Sequence, residues 1–244
     1  MDISQFTLHA EIEDSHWWFC ARREIIFSEL KRFLPPGAGM CLAEIGCGTG
    51  GNLRVLERHY SVLGVDLAPE AVKYASERLE APVFLGDFRD RLKGRWDQID
   101  AVLLADVLEH VEDDVAFLHD IVSCLKPGGI LLLTVPAHRF LWSHHDLVLG
   151  HIRRYSAAGL RALWQGLPVE ELRFSSFNFI LFPIMAAVRL LGRGGERKEG
   201  ESDLRPLPAP LNGLLFRLFA LERLLLKVCP LPYGASYLAL LRKR

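Results

Sequence analysis

Eight residues, Glu44-Ile45-Gly46-Cys47-Gly48-Thr49-Gly50-Gly51, stand between an apolar run and an amphipathic stretch, and Asp66 closes the next apolar run. Glycines packed that densely let the backbone take conformations a Cβ forbids, so the chain can pass directly beneath a ligand. A helix opening from such a turn points its free N–H groups at that ligand. The carboxylate of Asp66, at the end of the neighbouring strand, is placed to grip two ribose hydroxyls. Strand, glycine turn, helix, strand and acid in that order read as a nucleotide site rather than as a bare connection.

Gly46-x-Gly48-x-x-Gly51 also fits the dinucleotide fingerprint, so the turn alone leaves the nucleotide open. The segments that follow narrow it. Gly86-Asp87-Phe88 puts an acid and an aromatic at a third strand end, suited to accept from an adenine amino group and to cover its ring. Ala105 and Asp106 follow a fourth apolar run and lead into Val107-Leu108-Glu109-His110. Leu125-Lys126-Pro127-Gly128-Gly129 then precedes a fifth run, Ile130 to Val135. An NAD(P)-binding oxidoreductase is expected to continue into a second mononucleotide half, and none is visible. That reading stands as the alternative, beside a catalytically silent cofactor-binding regulatory protein.

With these five motifs in order over about residues 40 to 136, the chain resembles the class I S-adenosylmethionine-dependent methyltransferases. The similarity is greatest to the subgroup that includes quinone O-methyltransferases and other small-molecule methyltransferases. The resemblance implies an α/β, Rossmann-like fold with a seven-stranded, mostly parallel sheet and helices on both faces. It implies S-adenosylmethionine as cofactor and methyl transfer to a small-molecule or lipid-like acceptor, at oxygen in preference to nitrogen or carbon. The cofactor contacts it implies are Glu44, Gly46, Cys47, Gly48, Asp66, Leu67, Asp87, Phe88, Ala105 and Asp106. In similar enzymes an N-terminal aromatic segment folds over the cofactor and an arginine meets its methionyl carboxylate. Here that selects Trp18 and Arg22. Quinone-type relatives associate a divalent metal with a Glu-x-x-Glu-His pattern where this chain has Asp106-x-x-Glu109-His110. Relatives without a metal share Leu-Glu-His, so no metal is expected, and Asp106, Glu109 and His110 stand as the alternative ligand set.

Methyl transfer from a sulfonium is a displacement in which the protein mainly positions the partners, but a hydroxyl acceptor still has to lose a proton. Histidine titrates nearest neutrality. His110, His144 and His145 are the expected catalytic residues, chosen over His138 and His151. Just past the fifth strand, Trp142, Arg153, Arg154 and Tyr155 gather with His144-His145-Asp146, and these four are expected to touch the acceptor. Such a cluster also serves as a hydrogen-bonded structural loop tied by Asp146 to Arg153 or Arg154.

Short apolar strands are expected at Met40–Ile45, Val62–Val65, Val83–Leu85, Ile99–Leu104, Ile130–Val135, Glu170–Ser176 and Ser236–Leu241, the last antiparallel by the resemblance. A first helix is expected from Cys20 to Leu34. The chain then divides into an N-terminal aromatic cap with that helix (1–36), a cofactor-binding core (37–176), an apolar helical insert between strands six and seven (177–234) and a last core strand (235–244). The insert holds two apolar stretches, Phe177–Leu191 and Leu211–Val228, around Gly192–Pro210, whose Gly, Glu, Arg and Pro content predicts mobility. Its apolar surface suits core packing or a homodimer interface, a cap over a hydrophobic acceptor, or peripheral contact with a membrane.

The formal net charge of −1 argues against nucleic acid as a partner, since phosphate binding needs a clustered basic excess. Five cysteines without a Cys-x-x-Cys pair indicate neither a zinc site nor a disulfide framework. Met1-Asp2-Ile3-Ser4-Gln5 lacks the pattern of a signal peptide and no apolar run is long enough to span a bilayer, which predicts a cytoplasmic protein, at the membrane surface if the insert docks there.

Overall fold

The structure is a computed structural model that describes residues 3–37, 39–191 and 206–244. Two helices come first, α1 (Ile3–Ile12) and α2 (Trp17–Phe33). There follow β1 (Cys41–Ile45), α3 (Gly51–Leu56), β2 (Ser61–Asp66), α4 (Pro69–Arg78), β3 (Val83–Leu85), α5 (Phe88–Arg91) and β4 (Ala101–Ala105). Then come α6 (Asp114–Cys124), β5 (Ile130–Pro136), α7 (His144–Leu149), α8 (Ala157–Ala162) and β6 (Val169–Phe177). The chain closes with α9 (Phe182–Leu191), α10 (Ala209–Ala220), α11 (Glu222–Val228) and β7 (Ser236–Lys243).

The seven strands form one sheet in the order β3-β2-β1-β4-β5-β7-β6. Only β7 runs antiparallel, pairing with β5 on one side and β6 on the other. This is the mostly parallel α/β sheet that the resemblance implies. A dinucleotide fold would set a sixth parallel strand beside the fifth; here the antiparallel β7 occupies that place.

The period-two rule explains why the central strands read as continuous apolar runs. In β5, Leu131, Leu133 and Val135 enter the layer beneath α6 and α8, while Ile130 and Leu132 enter the layer beneath α2. Both faces are therefore covered. The α10–α11 pair belongs to the second layer: Phe219 and Leu226 are buried there with Ile25, Ile26 and Leu30 of α2. Part of the insert is thus core.

The structure corrects three expectations about elements. The first helix begins at Trp17 rather than Cys20, because the His16 side chain accepts from the Trp18 N–H and caps it, and α1 precedes it. The stretch Leu211–Val228 is two helices that break at Leu221, so that Glu222 turns inward to accept from the N–H groups of Phe179 and Ile180 at 2.8 and 2.9 Å. His144–Leu149, which the alternative reading made part of a structural loop, is helical and starts from a capping box between Ser143 and Asp146. The expected mobility of Gly192–Pro210 falls mainly on residues 192–205, outside the described residues. Among the described residues no helix is long and apolar enough to cross a membrane.

Candidate active site

The C-terminal ends of β1, β2, β3 and β4 open into one cavity of about 1000 Å³. The glycine turn forms its wall. Gly46, Gly48 and Gly50 have φ of +72°, +55° and +87°, a region that side chains rarely enter. A Cβ at Gly46 would lie 2.7 Å from Val107 Cγ2, whereas one at Gly48 would meet no atom within 4 Å and would point into open space. Close approach is therefore needed at the first and kept for a ligand at the second.

Asp66 accepts from the main-chain N–H of Gly48 at 2.8 Å and of Ala68 at 2.9 Å, which fixes its carboxylate at the mouth of the turn. Glu44 is 1 % exposed; Asn52 donates to its Oε1 at 2.6 Å, and its Oε2 has no partner. Burial pushes the Glu44 carboxyl up to about 8. Asp87 caps α5 by accepting from the Arg89 N–H at 2.7 Å, and Phe88 packs edge-on against Phe117. Cys47, Leu67 and Ala105 line the same wall, with Leu67 74 % exposed.

Trp18 and Arg22 reach the cavity from α2. The guanidinium of Arg22 lies 5.2 Å from the Trp18 ring centroid, pairs with Asp106 at 2.8 Å and donates to Thr134 Oγ1 at 2.9 Å. Asp106 has φ of +59°, a strained setting for a non-glycine residue at a strand end. Glu13 was not foreseen. Its carboxylate accepts from Thr49 Oγ1 at 2.7 Å and pairs with Arg78, while Arg78 and Arg54 both pair with Asp14. A Cβ at Gly51 would run into Glu13, so that glycine leaves room for the residues after α1 to close over the turn. No sequence pattern links Glu13 to a turn 36 residues away.

The same cavity also brings together Glu109, His110, His145, His151 and Arg154. The buried Asp146 organises them. It accepts from His151 Nδ1 at 2.9 Å, from Arg154 Nε at 2.8 Å and from the Ser143 N–H at 2.9 Å. Burial alone would raise its carboxyl, but these bonds hold it below the usual carboxylate range. Burial, reinforced by the neighbouring His151, lowers His110 to about 4, so its imidazole is neutral at neutral pH.

Other expected acceptor contacts lie elsewhere. Trp142, Arg153 and Tyr155 do not line the cavity, and neither does His144, which was expected as a catalytic residue. The Tyr155 hydroxyl is shared between Asp114 Oδ2 at 2.7 Å and Leu108 O at 3.1 Å, and Arg153 pairs with Asp114 at 2.6 Å and donates to Glu112 O. Those groups sew the loop after α7 to the turn after β4 and the start of α6. The histidine oriented by Asp146 is His151, not the adjacent His144 or His145, because neighbours on a helix face different ways.

The insert forms the roof. Leu181 just before α9, Ile184, Met185 and Val188 of α9, and Leu211 and Leu215 of α10 line the cavity. Asn212 of α10 accepts from the Trp17 N–H at 2.9 Å and donates to Ser15 O at 2.9 Å, which joins the roof to the α1–α2 turn.

A family model described as a methyltransferase domain matches residues 19–167. A 2-methyl-6-phytyl-1,4-hydroquinone methyltransferase of Synechocystis is 32% identical over 105 residues, which is 41% of this chain and 32% of that protein. A ubiquinone biosynthesis O-methyltransferase of Parvibaculum lavamentivorans is 29% identical over 133 residues, covering 50% of this chain and 53% of the other. That of Xanthomonas campestris is 38% identical over 106 residues, 41% of this chain and 43% of the other. The chain thus spans from about a third to about half the length of these relatives. Among solved structures, a SAM-dependent methyltransferase from Archaeoglobus fulgidus superposes with a TM-score of 0.57 over 91% of this chain and 94% of that one, at 16% identity. The plantazolicin methyltransferase BpumL in complex with SAH gives 0.59 over 99% and 90%, at 12% identity. At such identities these two carry the fold.

Proposed function

The chain belongs to the methyltransferase-domain family, and from that membership we propose that it moves the methyl group of S-adenosylmethionine to an oxygen of an apolar small-molecule acceptor. The observation that carries this reading is the continuity of the cavity. One end is the glycine turn with Asp66, Asp87 and Phe88, the middle holds three imidazoles, and the far end is the apolar roof of α9 and α10. Adenine lies by Asp87 and Phe88, the ribose on Asp66, the methionyl ammonium at the unpartnered oxygen of Glu44 and the methionyl carboxylate at Arg22. The main chain at Cys47, Gly48 and Ala105 and the side chain of Leu67 flank the adenosine.

Transfer is an in-line displacement: the acceptor oxygen bonds the methyl carbon as the carbon–sulfur bond breaks, and S-adenosylhomocysteine departs. The acceptor proton passes to an imidazole, and His145 takes it. Residues 37–176 with the final strand hold the cofactor, α1 and α2 close over it, and α9 and α10 close over the acceptor. Ile184, Val188 and Leu211 line the cavity yet are 66, 53 and 44 % exposed, which supports loading of the acceptor from an apolar surface such as a membrane.

The test is a series of phenols with alkyl tails of increasing length. kcat/KM should rise with the tail until it fills the roof, by roughly fourfold per buried methylene. A flat series would remove the apolar acceptor, and flotation with vesicles separates membrane loading from loading through a second copy of the chain.

A further inference from the structure

Asn178 follows β6, whose C-terminal end lies on the same sheet edge as the glycine turn, and its side chain lines the cavity although it is only 2 % exposed. Its φ is +57°, in the left-handed region. Asparagine enters that region more readily than most residues because its short amide hydrogen-bonds the nearby main chain. Here it does not. Among the described residues Nδ2 donates only to the thioether of Met185, at 3.9 Å, and Oδ1 has no partner. A buried amide oxygen left unsatisfied is costly, and a residue held in a sparse conformation persists only where its surroundings over-determine it. They do. Glu222 Oε1 accepts from the next two N–H groups, those of Phe179 and Ile180, and the Asn178 carbonyl accepts from the Ala235 N–H at 3.4 Å. A Cβ at Gly234 would strike the Phe177 carbonyl, so the main chain packs tightly on that side too. The turn asks only for a left-handed residue, which glycine supplies without burying a carboxamide. The carboxamide answers a different demand.

We infer that Asn178 is a specificity-determining residue of the acceptor site. Its Oδ1 accepts a hydrogen bond from a neutral donor, a hydroxyl or an amide N–H, that the acceptor carries in addition to the oxygen that is methylated. The inference rests on the proposed placement of the acceptor under the α9–α10 roof. An amide oxygen can only accept, so it favours a donor and repels a carboxylate or phosphate. Leu181 and Met185, which line the cavity with it, offer a donor nothing stronger than a thioether. A donor that has left water to enter there finds its partner at Oδ1. Ser236, the register partner of Phe177, also lines the cavity and gives it a hydroxyl. A site built to hydrogen-bond a hydroxyl or N–H rejects an analogue lacking it far more sharply than an apolar wall rejects a change of size. The roof therefore reads the length of the tail, and Asn178 reads the polar substituent. Asn178 takes no proton and leaves the role of His145 as it is.

The test uses an octyl-tailed phenol, its derivatives with a second hydroxyl or a carboxamide placed ortho or meta to the first hydroxyl, and the methylated counterparts in which those added donors are blocked. Each is titrated by calorimetry into full-length protein saturated with S-adenosylhomocysteine, which reads binding without turnover. At least one donor-bearing phenol should bind ~10-fold or more tightly than both the parent and its own blocked counterpart. The derivative that does so tells hydroxyl from amide N–H. Asn178→Gly, which suits the left-handed turn, should bring that ratio to within about twofold of one with the parent phenol bound as before. Asn178→Asp keeps an acceptor oxygen and should preserve the preference. A purely structural Asn178 would weaken every phenol alike and leave the ratio unmoved. Circular dichroism and S-adenosylhomocysteine affinity verify folding, and the wild-type ratios decide the matter should a variant fail to fold. Wild-type ratios near one for every derivative, or a preference that survives in folded Asn178→Gly, overturn the inference and leave the proposed methyl transfer standing. A preference that depends on Asn178 with no methyl moved to any phenol would do the reverse.

Discussion

Asp66 ends β2 with its carboxylate 2.8 Å from the N–H of Gly48, so the side chain proposed to hold the ribose also pins the glycine turn. Replacing it by Ala removes two hydrogen bonds to main-chain donors as well as the ribose contact. The affinity for S-adenosylhomocysteine should fall by about 1–3 kcal/mol. Calorimetry checks this, and an unchanged affinity would show that the cofactor does not rest on Asp66.

Glu44 predicts a proton linkage. Its carboxyl is raised to about 8 because it is buried, so at pH 7 the ligand-free protein holds it mostly protonated. The folded state then binds a proton that the unfolded state has released, and stability is lost as pH rises from about 4.5 toward 8. Glu44→Gln should remove that slope and exceed wild type by up to a few kcal/mol at pH 8 in the ligand-free state. An ammonium ligand beside Glu44 reverses the preference, so cofactor binding at pH 7 should release a proton. Calorimetry in buffers of differing ionisation enthalpy measures it.

His145 lines the cavity and His144 does not. His145→Ala should lower kcat roughly 10²-fold with the cofactor affinity nearly intact, while His144→Ala should change kcat by less than about threefold. Equal losses in both variants would point to the integrity of α7 rather than to proton transfer.

Asn212 joins the roof to the α1–α2 turn by two hydrogen bonds. Asn212→Ala should therefore speed hydrogen exchange at both Trp17–Cys20 and α10, and raise KM for cofactor and acceptor together. Faster exchange confined to α10 would mean that the roof and the α1–α2 turn move separately.

The glycine turn and the acid that pins it were legible because their demands are local. A turn with three residues at positive φ shows its glycines, and the strand end beside it shows its acid. The acceptor end was not. Asp146 sits beside two histidines in sequence but orients His151, because helical neighbours diverge and the loop after α7 folds back. Arg153 and Tyr155 read as substrate contacts, yet a buried partner at Asp114 claims both. Glu13 and Asn212 act over long separations with nothing in their surroundings to announce it. The insert's apolar excess was plain, but only the sheet shows that Phe219 and Leu226 belong to the core and that Ile184 and Val188 do not.

The central claim is transfer of a methyl group from the sulfonium held at the glycine turn to an acceptor under the α9–α10 roof. It is tested most directly with S-adenosylmethionine labelled in the methyl group and a long-tailed phenol. The predicted result is label in the organic-extractable phenyl ether with one S-adenosylhomocysteine formed per methyl moved, abolished by Asp66→Ala together with Glu44→Ala. Tight binding of S-adenosylhomocysteine with no label in the phenol at any tail length would contradict it.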